Sequence, residues 1–596
     1  MSSVLPTTVE RQRRRIAHAC EICRIRKTRC DGRNPCSTCV ENHEDCGYRE
    51  TPNLEKSKTD TVLETLVQLR SDIGDLHQKL DSVALQLRRV PSPLVSSAHS
   101  PGVLSVASPG NPDLDAIIPP SHTSATEKLL SWEIFDGAPM LRKRFVSTFV
   151  LESRRPQVPL SPPDLTPTIR PEDWSRLIDG FRRNINFWYP VLSLQNVDNL
   201  FSCLEVRSLD GCLGMLVAAL GDACMYVEQR YQSDNNRAGG GNLSIWSISN
   251  TVDGRGCFQR AYGIIHVAMA EVNVTAMICL FYTGVYFLYL QRPLQTNFFL
   301  NAAAQKCLVL LRYLTSSLTP QEYESVKRVF WCCFILESDI IVELEEIPQS
   351  GCSSMESQVP LPSKFDTHES RDASDLSTLY FLACISIRRL LNRIHKLLYS
   401  QESVARMHQV PDMNLISELF HQLEEWRTVL PPYLKFGLSS MGEPAANSYQ
   451  GFLRQRYLAA KSVIFRPVFN FVVTTNLRNG QLAVISDMVP HAEHCIEAVM
   501  MHMTNLRGFT HTVVIDTWIC SLSMAGVVLV LYIAWKTPSL KTVLEEKVGI
   551  VRIKNAMAEM QERLDGFMRT SPEISPSVRQ CVEMIGTLRG LMWRDT

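Results

Sequence analysis

Six cysteines fall between positions 20 and 46, and no other feature restricts the folding options of this chain as tightly. They read Cys20-x2-Cys23-x6-Cys30-x5-Cys36-x2-Cys39-x6-Cys46, the pattern C-x2-C-x6-C written twice. A disulfide knot would need an oxidising compartment. Met1 to Glu10 has no apolar core and runs into Arg11-Gln12-Arg13-Arg14-Arg15, which is not a secretory signal. The other cysteines mostly sit in apolar stretches, as Cys279, Cys307, Cys384 and Cys520 do, and read as buried free thiols of a protein in a reducing compartment. Thiolates this dense in such a compartment point to a metal, and soft sulfur in tetrahedral number points to zinc. One zinc ion would leave two thiols over, and two separate shells would need eight. Six serve two tetrahedral ions only if two thiolates bridge, and the duplication nominates one bridging cysteine in each half.

The charge pattern adds a partner. The 596 residues carry 61 Lys+Arg and 61 Asp+Glu, yet residues 11–30 hold Arg11, Arg13, Arg14, Arg15, Arg24, Arg26, Lys27 and Arg29 against Glu21 alone. A basic stripe on a neutral whole is the electrostatic footprint of nucleic-acid binding. The spacing predicts a short helix between Cys23 and Cys30, held by metal at both ends and able to enter a major groove without a hydrophobic core behind it. Two zinc ions and six thiolates leave a net negative cluster, which the surrounding cations offset. Asp31-Gly32 predicts a turn and Pro35 a stiff link between the halves. His18 and His43 read as surface residues. Arg13, Arg14 and Arg15 form an arm for phosphates or for nuclear import.

With these residues in view, the stretch resembles the zinc binuclear cluster (Zn2Cys6) of fungal transcription factors. The resemblance implies two Zn2+ per chain, with Cys20 and Cys36 bridging, Cys23 and Cys30 completing one site, and Cys39 and Cys46 the other. It also implies that Lys27, four residues after the second cysteine, reads a CGG-type triplet of double-stranded DNA. Arg26 would lie beside it, with Arg24 and Arg29 on phosphates, which position without specifying sequence.

After a polar linker (49–61) the periodicity changes. Val62, Leu66, Leu69, Ile73, Leu76, Leu80, Val83, Leu87 and Val90 alternate spacings of four and three, an unbroken heptad seam. Asp60-Thr61 marks its start and Pro91 its stop. Residues 62–90 are expected to form a coiled coil, and the resemblance suggests a homodimer engaging two half-sites at once.

Residues 91–125 are rich in Ser and Pro and read as disordered. From 126 onward the periodicity is helical, in segments such as Leu192–Val227, Phe258–Gln291, Tyr323–Leu344, Tyr449–Phe471 and Thr542–Met568, so the expected fold class is all-α. Arg154–Pro171 and 231–251 are expected to lack regular elements, and Gly239-Gly240-Gly241 has none of the context of a phosphate loop. The uncharged runs Val272–Gln291 and Thr517–Trp535 approach membrane-spanning length but read as buried core helices, with no membrane partner.

This region resembles the fungal-specific regulatory domain that follows zinc clusters in the same family. The resemblance is carried by Arg328, Phe330, Trp331, Glu337, Glu343, Leu344, Pro348, Ser350 and Gly351, by the VPLP of 359–362, and less strongly by Arg388-Arg389-Leu390-Leu391-Asn392-Arg393. Cys352 departs from the pattern, which often has an apolar residue there. Glu337, Asp339, Glu343, Glu345 and Glu346 read as polar faces and inter-helix salt bridges; Phe330 and Trp331 read as core. No nucleophile elbow, HExxH or Walker motif is present, so the chain is not expected to be an enzyme. The expected organisation is a basic arm (1–17), zinc module (18–48), linker (49–61), coiled coil (62–90), disordered linker (91–125) and helical regulatory domain (126–596). Implied is a nuclear protein whose partners are double-stranded DNA, a second copy, the transcription machinery or co-regulators, and a small-molecule effector held among the helices.

Overall fold

The computed structural model describes residues 19–48, 117–137, 139–158, 169–204, 207–238, 254–365, 371–400, 410–438, 445–478, 482–505 and 513–593. The heptad seam of 62–90, the arm with Arg13, Arg14 and Arg15, His18 and Gly239–Gly241 lie outside them. The chain divides into two compact units, 1–107 and 108–596.

The first unit has two five-residue helices, α1 (Glu21–Ile25) and α2 (Ser37–Glu41). Its interior is Cys20, Cys23, Cys30, Cys36 and Cys39, with Ile22, Cys46 and Tyr48 packed against them. So small an apolar interior cannot hold a fold by itself; below about 40 residues metals or disulfides usually supply the difference.

The second unit is built of helices. Labelled in chain order, the longer ones are α3 (Pro171–Phe181), α4 (Leu209–Ala238), α5 (Gly254–Gly263), α6 (Val274–Tyr289), α7 (Pro293–Tyr313), α8 (Pro320–Ile341), α9 (Arg371–Tyr399), α10 (Met413–Val429), α11 (Ser448–Leu477), α12 (Leu482–Asn505), α13 (Val513–Lys536), α14 (Ile550–Thr570) and α15 (Pro576–Trp593). Among the described residues the one β feature is an isolated antiparallel bridge between His122 and Ser400. The all-α expectation therefore holds. Neighbours in sequence pack as neighbours in space: α11 against α12, α6 against α7, α7 against α8. Short links favour such pairs.

The helix starts are written locally. Thr319 caps α8 in a reciprocal box, its hydroxyl accepting from the Glu322 amide at 3.2 Å while the Glu322 carboxylate accepts from the Thr319 amide at 2.9 Å. Asn273 and Asn447 cap α6 and α11 by accepting from the amides of Ala276 and Gln450 at 2.9 Å. Pro171, Pro293 and Pro320 occupy first-turn positions, where no amide hydrogen is needed.

Both uncharged runs are core helices as expected. Every residue of α6 from Ala276 to Tyr289 is buried. Asp516–Lys536 has a mean hydropathy of 2.0 and is 83% buried by the rest of the unit; Leu209–Gln229 in α4, a run not singled out above, is 78% buried. Helices apolar on every side belong at the centre of a bundle.

Five expectations need correction. Residues 117–125 are not disordered: Ile118, His122, Ser124 and Ala125 are buried, and the segment lies as a strap across the ends of α8 and α9. Its carbonyls and side chains bond to Gln349 (from Ile118, 3.1 Å), the Glu346 amide (from Pro120, 3.1 Å) and the Ile341 carbonyl (from His122, 2.9 Å). α4 runs on to Ala238, into the span read as a loop. The segment of helical periodicity Thr542–Met568 is interrupted by a wider turn at Leu544–Val548 and by Gly549, whose φ of +88° suits only glycine without strain. Phe258–Gln291 is likewise three helices, α5, Ile265–Ala270 and α6. Leu192–Val227 is also broken, with a short helix at Leu194–Asn199, a 3-10 turn at Leu200–Cys203 and then α4.

Candidate metal centre

The duplication in sequence is a duplication in space. Cys20 and Cys36 are the residues immediately before α1 and α2, both extended, and Cys23 and Cys39 lie one turn in, both buried. The amides of Arg24 and Val40 donate to the carbonyls of Cys20 and Cys36 at 3.0 Å, and those of Thr28 and Glu44 to the carbonyls of Cys23 and Cys39 at 3.0 Å. Each half then turns back through one left-handed residue, Lys27 (φ 51°) or His43 (φ 49°), seven residues after its first cysteine. The helix expected across the basic loop therefore stops at Ile25, with Arg26 closing it.

The two halves face each other through sulfur. Cys20 Sγ lies 3.6 Å from the Sγ of Cys36 and of Cys39, and Cys23 Sγ lies 3.6 Å from that of Cys36. Cys20, Cys23, Cys36 and Cys39 offer sulfurs all within 4.8 Å of one another, and Cys30 is within the same reach of Cys36. The Cys36 amide points at Cys46 Sγ, 3.2 Å away. Sulfurs about 2.3 Å from a tetrahedral zinc ion stand roughly 3.8 Å apart, so the spacing fits the metal. Electrostatics fit it too. The Cys23 amide draws the Cys20 thiol down to about 6, whereas burial pushes Cys23 up to about 11 and raises Cys39 as well. Crowded sulfurs cannot all ionise alone; a divalent cation removes that conflict.

Polar side chains lock the frame, and of these only Asp31 is marked in the sequence, as a turn residue. Asp31 Oδ1 accepts from the amides of Arg33 and Ser37, both 3.2 Å, tying the link to the start of α2. Thr38 donates to the Arg29 carbonyl at 2.7 Å. Tyr48 donates to the Arg33 carbonyl at 2.9 Å and brings its hydroxyl within 3.4 Å of Cys30 Sγ. Only its position two residues after the last cysteine could have hinted at this.

Arg24, Arg26, Lys27 and Arg29 are all exposed. Arg26 is ion-paired with Glu44 of the other half, and Lys27 has no ion pair among the described residues. The matching positions of the second half, Val40, Asn42, His43 and Asp45, carry no Lys or Arg. The cationic surface therefore belongs to the first half alone.

In the helical unit Glu337, Asp339, Glu343 and Glu345 act as internal struts, whereas the Glu346 side chain is exposed. Glu337 accepts from the Ser350 hydroxyl at 2.6 Å, Asp339 binds Arg388 and Arg456, Glu343 accepts from the Thr126 amide at 2.9 Å, and Glu345 pairs with Lys128 at 2.9 Å. Glu346 gives its amide to the strap. Arg328 joins Glu324 at 2.8 Å and the Pro190 carbonyl at 3.0 Å, and the Trp331 indole donates to the Pro360 carbonyl at 3.0 Å. The helix motif and the VPLP segment are thus two sides of one contact. Phe330 and Trp331 are core as read.

A pseudo-symmetric six-sulfur cage with cations on one half defines a zinc-dependent nucleic-acid-binding protein. Residues 18–54 match the fungal Zn(2)-Cys(6) binuclear cluster domain, and residues 185–428 match the fungal specific transcription factor domain. The chain is similar to a transcription factor of Aspergillus rugulosus, ecdB, at 24% identity over 86% of this chain and 88% of the relative. It is also similar to an ABC-transporter-regulating transcription factor of Aspergillus oryzae, at 24% identity over 70% of this chain and 55% of that one. The maltose fermentation regulatory protein MAL33 of Saccharomyces cerevisiae is 42% identical over 43 residues, 7% of this chain and 9% of the relative. No solved structure matches. The chain is a fungal Zn2Cys6 transcription factor that binds two zinc ions and regulates transcription through DNA; it is not an enzyme.

Proposed function

We propose that the protein acts in the nucleus as a homodimer on paired CGG-like half-sites, one zinc module per half-site. The single observation that carries this reading is the one-sided charge of the doubled cluster, in which equivalent turns carry Lys27 in one half and His43 in the other. Cys20 and Cys36 would bridge the two ions, with Cys23 and Cys30 completing one shell and Cys39 and Cys46 the other. Zinc, when bound, supplies the rigidity that an apolar core supplies elsewhere. The residues of the chain do the reading. Lys27, displayed by the left-handed turn, donates to guanine O6 and N7. Arg26 exchanges Glu44 for a base edge or phosphate, a small cost because exposed ion pairs contribute about 0–1 kcal/mol. Arg24 and Arg29, with Arg13, Arg14 and Arg15, hold phosphates.

Dimerisation would run through the seam of Leu66, Leu69, Ile73, Leu76, Leu80, Val83 and Leu87. Tethering makes the second half-site engagement intramolecular and raises affinity without new contacts. The helical unit gates output through co-regulators or a small-molecule effector, and the genes served would belong to a biosynthetic or nutrient pathway. The domain boundaries given above are part of this proposal, with the regulatory unit extended back to the strap at 117. Selecting bound sequences from a random DNA pool with the zinc-loaded full chain tests it: paired CGG-like triplets are expected, with affinity falling steeply as salt rises because phosphate contacts release counterions. Lys27→Ala should relax the preference at the triplet while salt-dependent binding largely survives. Equal loss on all sequences would move Lys27 to the backbone, and unselective recovery would remove the half-site reading.

A further inference from the structure

Where α8, α9, α11 and α13 converge beneath the strap, they leave a cavity of about 160 Å³. A dry cavity of about 150 Å³ lined by aliphatic and aromatic side chains is large enough for benzene. Leu391, Phe452, Val463, Ile519 and Val527 give this one apolar walls. Its polar lining is what sets it apart.

Three arginines line the cavity, Arg388, Arg456 and Arg466. Asp339 holds the first two, the Arg456 contact being 3.2 Å. Arg466 makes no ion pair among the described residues; its hydrogen bond goes to a neutral acceptor, the Ser124 carbonyl of the strap, at 3.0 Å, and its Nε has no partner. Arg388 is 5% exposed with its Nε unpartnered, and His395 is 3% exposed with Nδ1 unpartnered. Buried polar atoms without partners are costly and call for an explanation. Here several border one void.

The remaining acids do not neutralise the arginines. Burial pushes Glu343 and Asp516, both in the lining, up to about 7, so near neutrality each spends much of its time uncharged. Only Asp339 is held below the usual carboxylate range, by Arg388 and Arg456 against its burial. His395 is kept neutral by burial. The lining is short of negative charge.

We propose that this cavity is the ligand site of the regulatory unit, and that it takes a small carboxylic acid with an apolar body. The carboxylate meets the Arg466 guanidinium, a bidentate match. The body fills the space between Leu391, Val463 and Val527. A ligand there competes with the Ser124 carbonyl for Arg466 and so touches the strap through which the chain leaves for the zinc module. This deepens the effector reading above and rests on it.

The test is calorimetric titration of the zinc-loaded full chain with benzoate, with benzamide as the neutral analogue of the same shape and acetate as the anion without a body. Benzoate is expected to bind saturably, at least tenfold more tightly than either. Arg466→Gln should weaken benzoate at least tenfold while zinc content and DNA affinity stay unchanged. Should that variant fail to fold, Ala459→Leu, which grows into the cavity from α11, should abolish benzoate binding without lowering the melting temperature. Equal binding of benzoate and benzamide, no saturable benzoate binding at millimolar concentration, or undiminished binding by Arg466→Gln or by Ala459→Leu would overturn the proposal. Because DNA affinity is measured on the same samples, loss of the ligand site with DNA binding intact is distinguishable from failure of the regulator reading.

Discussion

At the scale of single residues, the turn at Lys27 shows how metal geometry overrules helix propensity. A helix carried on to Cys30 would put it about 10.5 Å along the axis from Cys23, since each residue rises 1.5 Å. Two sulfurs on one zinc ion stand only roughly 3.8 Å apart. If Cys23 and Cys30 hold one ion, as proposed above, the chain must double back between them, and it does so at the left-handed residue Lys27, which is exposed. Cys36 carries the most sulfur contacts, to Cys20 and Cys23 at 3.6 Å and through its amide to Cys46. Cys36→Ala should lower the zinc content of the purified chain from two ions towards none, read by elemental analysis, whereas a terminal ligand would cost one; retention of both would refute the bridging role. Glu343 makes a second prediction. An acid with its folded-state pKa raised keeps a proton that the unfolded chain has released, so its contribution to stability is present at low pH and is lost as pH rises through about 7. The melting temperature of the helical unit should fall as pH rises from about 4.5 to about 7 and level off above that, and Glu343→Gln should make that fall shallower. An identical slope in the variant would mean that the carboxylate is ionised throughout.

At the scale of elements, boundaries written in local chemistry were legible and those imposed by distant partners were not. α8 starts at a Thr-Pro-Gln-Glu capping box that is complete in the sequence, whereas apolar periodicity alone starts the segment three residues later, at Tyr323. Thr319→Ala should cost about 1 kcal/mol, the usual loss for a capping hydroxyl, seen as a lower denaturation midpoint for the helical unit. No change would mean that the Glu322 carboxylate alone suffices. The strap is the opposite case. Residues 117–125 have no helical period and carry Pro119 and Pro120, so nothing local distinguishes them from the serine- and proline-rich stretch before them. What orders them is the end of α8 and the turn after it, more than two hundred residues away, through Ile341 and Glu346.

At the scale of the whole molecule, the two units are held by different forces, and this has a direct consequence. The zinc module has a handful of buried residues, nearly all of them cysteines, while the helical unit buries a continuous apolar core. Removal of zinc with a strong chelator should abolish DNA binding and unfold the first unit, while the thermal transition of the second, followed by helical circular dichroism, stays in place. A parallel loss of both transitions would show that the helical unit depends on the metal.

The sequence by itself determined the metal and the class of protein, because sulfur chemistry and its spacing are local and few alternatives satisfy six thiols in twenty-seven positions. It also determined the all-α class, since a periodicity of apolar residues is a property of the chain alone. Tertiary structure decided the rest: that the basic loop turns at Lys27 instead of continuing as helix, that the strap is ordered, and that Arg388, Arg456 and Arg466 meet around one cavity. Each of these depends on which distant groups come together when the chain packs, and no spacing along the chain records that.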